Sequence, residues 1–128
     1  MDEKALKPGM FSWFELLTSD VAAAKKFYGA LFGWTTKDMD TPNTPYTIVS
    51  ANGEEVAGMM PIPPAATGMP PAWGVYVTVA DVDATVRRVG ELGGSTVMPP
   101  TDIPGMLRFA VVRDPQGATF SVITYAKK

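Results

Sequence analysis

The chain contains no cysteine and no histidine. Without cysteine it cannot form disulfides, thiolate nucleophiles or cysteine-ligated metal sites. Without histidine it lacks the usual general base near neutral pH and the commonest transition-metal ligand, and serine triads are excluded. Because small secreted domains are often rich in disulfides, the absence of cysteine favours a cytoplasmic location.

Excess charge and long apolar runs are also absent. The 11 basic and 13 acidic residues are scattered along the chain and give a formal net charge of −2, so nothing indicates nucleic acid or an anionic membrane surface as a partner. No apolar stretch reaches membrane-spanning length. What is present, 128 residues of which 46% are hydrophobic, suits one compact domain with a buried core.

The strongest pattern is a repeat that divides the chain into halves. FELLTSDVAAA at residues 14–24 resembles VYVTVADVDAT at residues 75–85, and Asp20 and Asp81 are 61 positions apart (81 − 20). In each half an apolar strand precedes an aspartate suited to cap a helix, glycine follows the helical pattern, and short β-prone stretches come next. The sequence therefore predicts two β-α-β-β-β modules.

Proline and glycine predict the boundaries of these modules. Residues 1–9 form a polar lead-in, residues 10–60 the first module, residues 61–72 a connector and residues 73–128 the second module. The connector contains five prolines, which cannot donate to a sheet and which stiffen the chain. We therefore expect one compact domain of two modules joined by a semi-rigid segment.

Three stretches carry a resemblance to a known family: WFELLTSDVAAAKKFYGALFGW, YVTVADVDATVRRVGELGG and IPGMLRFAVVRDPQGATFSVI. They resemble the vicinal oxygen chelate superfamily of glyoxalase I, bleomycin-resistance proteins and extradiol dioxygenases. The resemblance implies an α+β fold of two curled half-barrel sheets, with helices outside and a ligand cavity between the modules. It also implies a homodimer, which open sheet edges favour as well. The alternative is another split β-α-β fold with the same element order, such as a ferredoxin-like sensor domain.

The chain departs from the metal-binding pattern that this resemblance implies. Metal-dependent members carry His, Glu or Gln on the first strand of each module and a carboxylate on the last strand. Those positions fall on Trp13, Gly74, Ser121, and Gly58 or Met60. None of these side chains supplies imidazole, thiolate or carboxylate. We therefore expect no metal and no other cofactor, and no glyoxalase I or dioxygenase mechanism.

Strand alternation predicts which side chains face the cavity. On the first strand Trp13 and Glu15 face the cavity, while Phe14 and Leu16 pack on the helix. On the first strand of the second module, Tyr76 takes the cavity side.

The last hairpin has two possible registers. If Pro115-Gln116 is a two-residue loop, Ala110 pairs with Ser121, and Arg108 shares the cavity face with Ser121. A bulge at the turn would reverse this assignment. The two-residue loop assigns to the core Phe109, Val111, Phe120 and Val122.

Two functions are compatible with these residues. The first is metal-independent binding of a small apolar or aromatic molecule by Trp13, Glu15, Tyr76, Arg108 and Ser121. The second is a metal-independent lyase or isomerase in which Glu15 is the base and Arg108 clamps an anion. A structural explanation is also open: Glu15 and Arg108 could pair with each other, and the aromatic residues could simply fill the core.

Overall fold

A computed structural model describes residues 6–39, 45–64 and 68–126, so the predicted lead-in and connector lie partly outside the described residues. Two successive β-α-β-β-β modules are observed, as predicted. In chain order the elements are β1 (Phe11–Thr18), α1 (Val21–Phe32), β2 (Thr35–Met39), β3 (Tyr46–Ala51), β4 (Glu54–Pro61), β5 (Ala72–Thr78), α2 (Val82–Glu91), β6 (Ser95–Ile103), β7 (Leu107–Arg113) and β8 (Thr119–Tyr125). The compact units are Trp13–Gly74, here the first module, and Val75–Lys128 with the residues before Trp13, here the second module.

Both helices begin at the predicted aspartates. The carboxylate of Asp20 accepts a hydrogen bond from the Ala23 backbone N–H at 3.0 Å, and that of Asp81 accepts one from Ala84 at 3.0 Å. Each bond satisfies a donor that has no partner inside the helix. α1 ends at Gly33, which adopts the left-handed conformation at φ 74°. Neither helix of the described residues is long and apolar enough to cross a membrane.

The sheet of the first module has the strand order β2-β3-β4-β1. β1 runs parallel to β4, with Leu16 opposite Met59, and β3 is antiparallel to both of its neighbours. One face carries the buried cluster beneath α1: Leu16, Val49, Ala57 and Met59, packed against Val21, Ala24 and Tyr28. We call this side the helix face and the opposite side the helix-free face.

The second module repeats this plan with the order β5-β8-β7-β6. β5 runs parallel to β8, with Val77 opposite Val122, and β7 is antiparallel to β8 and β6. The core between α2 and the sheet contains Val82 of the helix and Ala110 and Val122 of the strands. Val79, Val86 and Phe120 pack against it. The helix face of this module is therefore the side that carries Val122.

The β7–β8 hairpin has the bulged alternative of the two registers. The backbone N–H of Gly117 donates to the carbonyl of Asp114 at 3.0 Å, and that of Asp114 donates to the carbonyl of Ala118 at 2.9 Å. Gly117, at φ 96°, takes a left-handed conformation that favours glycine. Because the turn holds one more residue than a two-residue loop, Ser121 pairs with Val111 and not with Ala110. The register predicted from the two-residue loop is wrong.

Candidate functional site

The helix-free face of the first module carries a hydrogen-bonded pair of aromatic residues. The indole Nε1–H of Trp13 donates to the hydroxyl oxygen of Tyr46 at 2.8 Å. Trp13 is three residues from Leu16 along β1, so its side chain lies on the face opposite that of Leu16. Tyr46 adjoins Thr47, which pairs with Met59 on the helix face, so the side chain of Tyr46 lies on the opposite face. Both rings therefore lie on the side away from α1, and the hydrogen bond fixes one against the other.

Gly58 provides the space in which the Tyr46 phenol lies. A Cβ atom at Gly58 would overlap both the ring and the hydroxyl of Tyr46. Gly58 pairs with Ile48 on one side and with Glu15 on the other. The family resemblance implies a metal ligand at Gly58 or Met60 in this module. At Gly58, the ring of Tyr46 from the neighbouring strand fills the space instead.

Glu15 lies beside this pair of rings. It is partly buried, shares the helix-free face with Trp13, and stands in register with Gly58. The strand alternation predicted this shared face for Trp13 and Glu15. Their contact with a ligand stays a prediction.

In the second module, Tyr76 and Ser121 stand in register on the helix-free face. Both are buried. The ring of Phe109 lies 6.4 Å from that of Tyr76, centroid to centroid. Val111 pairs with Ser121, so Phe109 and Val111 lie on this face, where the two-residue loop had assigned them to the core under α2. The result is an aromatic and aliphatic surface that includes the hydroxyl of Ser121.

Arg108 lies on the helix face, and its predicted place beside Ser121 is wrong. The longer turn pairs it with Thr124 and turns its side chain toward α2. Its Nε and Nη2 donate to the two carboxylate oxygens of Asp83 at 2.8 and 2.9 Å, and Nη1 donates to Asp102 at 2.9 Å. These bonds hold the pKa of the Asp83 carboxyl below its usual value and raise the pKa of Arg108. The guanidinium therefore links α2 to the sheet.

A second tryptophan–tyrosine pair lies beside α1 in the first module. The indole Nε1–H of Trp73 donates to the hydroxyl oxygen of Tyr28 at 3.0 Å. Trp34 stacks on Tyr28 with ring centroids 5.5 Å apart and meets Trp73 edge to face. This aromatic cluster packs around the inner side of α1, where Tyr28 and Trp34 meet the core.

The residues at the implied metal positions do not fit a divalent metal site. Trp13, Gly58, Gly74 and Ser121 offer neither carboxylate nor imidazole. In the described part of the chain, no group of three or more His, Cys, Asp or Glu residues could hold a metal ion.

Comparison with known proteins identifies the family. Residues 10–122 match the model of the Glyoxalase/Bleomycin resistance protein/Dioxygenase superfamily. The chain belongs to this superfamily. It is 44% identical over 115 residues to the putative glyoxylase CFP32 of Mycobacterium tuberculosis, a match that covers 88% of this chain and 44% of the relative. It is 40% identical over 128 residues to the anthracycline biosynthesis protein DnrV of Streptomyces peucetius, covering 90% of this chain and 46% of the relative.

The chain thus spans less than half the length of these curated superfamily relatives. Among solved structures, the methylmalonyl-CoA epimerase of Mycobacterium tuberculosis superposes with a TM-score of 0.66, covering 99% of this chain and 94% of the epimerase at 15% identity. That likeness shows the fold alone. It confirms the predicted α+β architecture over the ferredoxin-like alternative.

Proposed function

We propose that this superfamily member binds a small, flat aromatic or apolar molecule on the helix-free faces of its modules, without a metal ion. The observation that carries the proposal is the Trp13–Tyr46 pair, whose hydrogen bond is formed over the space left by Gly58. Rings that are fixed before binding lose little further side-chain freedom when a ligand stacks on them. Aromatic pairs add about 0.5–1.5 kcal/mol beyond the area they bury.

The composition of both helix-free faces supports this ligand class. Small-molecule sites are mostly apolar and aromatic, with a few polar groups that orient the ligand. For the face of the first module, we propose that Trp13 supplies stacking surface and that Glu15 accepts a hydrogen bond from a ligand. For the face of the second module, we propose that Tyr76 supplies stacking surface and that Ser121 offers a hydroxyl. Arg108 is left out of this set because it pairs with carboxylates on the helix face.

A relative's name suggests the chemistry of the ligand. DnrV is named for anthracycline biosynthesis, and anthracyclines are flat molecules with fused aromatic rings. A ligand of that shape would match the rigid aromatic pair. The proposal includes a homodimer as the binding species.

A second candidate function is supported by the relatives named putative glyoxylases. In this candidate the chain is a metal-independent lyase or isomerase, and the Glu15 carboxylate accepts a proton from a carbon next to a carbonyl group. Glu15 lies on the same face as the aromatic pair, which makes it the candidate base. Replacing Glu15 with Gln keeps a hydrogen-bond acceptor and removes the base. Loss of turnover with binding retained would favour catalysis.

Calorimetric titration with a dihydroxyanthraquinone, a flat three-ring aromatic probe, tests the binding proposal. We expect saturable binding that Trp13→Leu weakens by about tenfold or more, because one stacking surface is lost. The control is Trp73→Leu, which removes the tryptophan of the other pair in the same module and should change the dissociation constant by no more than about twofold. Absence of binding, or equal weakening by both variants, would contradict the proposal.

A further inference from the structure

A row of four paired residues crosses the helix-free face of the first module from β2 to β1. Its members are Lys37 on β2, Ile48 on β3, Gly58 on β4 and Glu15 on β1, each in register with the next. Directly paired residues share a face of the sheet, and Gly58 and Glu15 lie on the helix-free face. Lys37 therefore lies on that face as well, at the end of the row opposite Glu15.

The neighbour of Lys37 along β2 confirms this orientation. The Asp38 carboxylate accepts hydrogen bonds from Lys25 Nζ of α1 at 2.7 Å and from Thr47 Oγ1 at 2.8 Å. Since Thr47 lies on the helix face, Asp38 lies there too, and Lys37 points to the opposite side. The Lys37 side chain is exposed and forms no ion pair with the described residues.

Lys37 supplies the positive charge of this face. The basic residues within positions 13–74 are Lys25, Lys26 and Lys37. Lys25 is held by Asp38 on the helix side, and Lys26 is an exposed residue of α1 itself. The helix-free face of the first module thus carries an ammonium group at the β2 end of the row and a carboxylate at the β1 end.

The aromatic pair lies between these two charges. The Tyr46 phenol occupies the space over Gly58, which is two strands from Lys37 and one strand from Glu15. Neighbouring strands are about 4.8 Å apart, so about 10 Å separates the backbone of Lys37 from that of Gly58. The long, flexible lysine side chain shortens the gap that a ligand has to span. A molecule of three fused rings stacked on this pair is long enough to bring a substituent at one end to the ammonium group.

We infer that the ligand of this face carries an anionic group, such as a carboxylate, and that the Lys37 ammonium binds this group at the β2 end of the row. The inference rests on the proposed function and specifies its ligand class further, as a flat aromatic acid. Lysine suits this role because its ammonium group is a compact charge on a flexible stem that adapts to differently placed oxyanions. The acidic end of the ligand then lies away from the Glu15 carboxylate, which would repel it.

Calorimetric titration with a matched pair of probes tests the inference. One probe is the uncharged dihydroxyanthraquinone, and the other is the same ring system with one added carboxylate. We expect the carboxylate probe to bind the full chain about three- to fivefold more tightly at low salt, a modest gain because Lys37 is exposed. The gain should shrink at about 0.5 M salt, since ions screen exposed charges.

Substitutions at Lys37 should remove this preference and leave ring binding intact. Lys37→Met keeps the length of the side chain and should equalise the two probes by weakening only the carboxylate probe. Lys37→Glu should make the carboxylate probe the weaker one. The matched control is Lys26→Met, which removes a charge from α1 and should preserve the preference. A second control is Arg113→Gln on the helix-free face of the second module, where Arg113 alternates with Val111, and it should also preserve the preference.

The outcomes separate this inference from the proposed function. If both probes bind the parent chain equally, or if the preference survives Lys37→Met, the inference is overturned and the proposed aromatic site stands. Loss of the preference in Arg113→Gln and not in Lys37→Met would also overturn it, because the anion would then lie on the second module. If neither probe binds, the proposed function fails and the inference fails with it.

Discussion

The indole Nε1–H of Trp13 donates to the hydroxyl oxygen of Tyr46 at 2.8 Å, in a space that only a glycine at position 58 leaves open. A bond of the same kind joins Trp73 to Tyr28 at 3.0 Å beside α1. The first module thus contains two tryptophan–tyrosine pairs, one on the helix-free face and one next to the helix. Comparing them separates a role in ligand binding from a role in stability alone.

Removing the acceptor hydroxyl from each pair makes this comparison. We expect Tyr46→Phe and Tyr28→Phe each to lower the free energy of unfolding by about 0.5–1.5 kcal/mol, measured by urea denaturation, because an indole N–H loses its partner. Only Tyr46→Phe should weaken binding of the dihydroxyanthraquinone, since it frees the orientation of Trp13. Equal effects of both variants on binding would remove the special role of the Trp13–Tyr46 pair.

Gly58→Ala should displace the Tyr46 ring. The added methyl group overlaps the phenol, and forcing extra atoms into a packed site costs about 1–3 kcal/mol. The matched control is Gly74→Ala in β5, where, among the described residues, the added Cβ would meet only the Glu15 carbonyl oxygen, at an ordinary 3.9 Å. Urea denaturation should show a loss for Gly58→Ala and little change for Gly74→Ala. A Gly58→Ala variant with the free energy of unfolding of the parent and the same affinity for dihydroxyanthraquinone would contradict the described packing.

The Arg108–Asp83 pair predicts how stability depends on pH. Hydrogen bonds from Arg108 lower the pKa of Asp83 in the folded chain. The contribution of the Asp83 carboxylate to the stability of the fold is therefore complete above the ordinary aspartate pKa of about 3.9. This contribution is lost as the pH falls through the lower pKa that Asp83 has in the folded chain. Asp83→Asn should reduce the melting temperature at neutral pH, and the difference from the parent should shrink in acid.

Two controls accompany that measurement. Glu91→Gln breaks an exposed pair with Arg88 and should have little effect at any pH. Asp83→Asn should leave binding of the dihydroxyanthraquinone unchanged, because Asp83 lies on the helix side of its module. A difference in melting temperature that grows in acid would contradict the assigned role of Asp83.

Gly117 is predicted to hold the register of the last hairpin. At φ 96° it adopts a conformation strained for alanine, so Gly117→Ala should destabilise the chain by about 1 kcal/mol or more. Gly90→Ala is the control: Gly90 lies inside α2 with open space around its would-be Cβ, and alanine there should stabilise by about 0.5–1 kcal/mol. Thermal unfolding measures both changes. Stabilisation by Gly117→Ala would argue against the bulged turn.

Local chemistry explains why so much of the fold could be predicted from sequence. The caps at Asp20 and Asp81 and the stop at Gly33 depend on residues within one helical turn. Alternation within β1 and β5 placed Trp13 and Tyr76 correctly because a strand has only two faces. These features require no knowledge of distant parts of the chain.

The misplaced residues depend on geometry that local pattern does not determine. Asp-Pro-Gln-Gly suits both a two-residue loop and a bulged turn, and one additional residue moves Arg108 to the opposite face. The fit of Tyr46 over Gly58 joins residues on two neighbouring strands, β3 and β4, and it depends on how one side chain packs across the hairpin and not on the pattern within either strand. A glycine inside a predicted strand was the one available signal, because such a glycine often marks a close approach.

The most direct test of the binding proposal uses the indole N–H resonances of the three tryptophans in a ¹⁵N-correlated NMR spectrum. Each signal is assigned by a single tryptophan-to-phenylalanine variant, and dihydroxyanthraquinone is then titrated into the full chain. We predict that the Trp13 signal shifts in a saturable way, while those of Trp34 and Trp73, beside α1, stay in place. A shift of Trp34 and Trp73 with Trp13 unmoved would place the ligand beside α1 and contradict the proposed site.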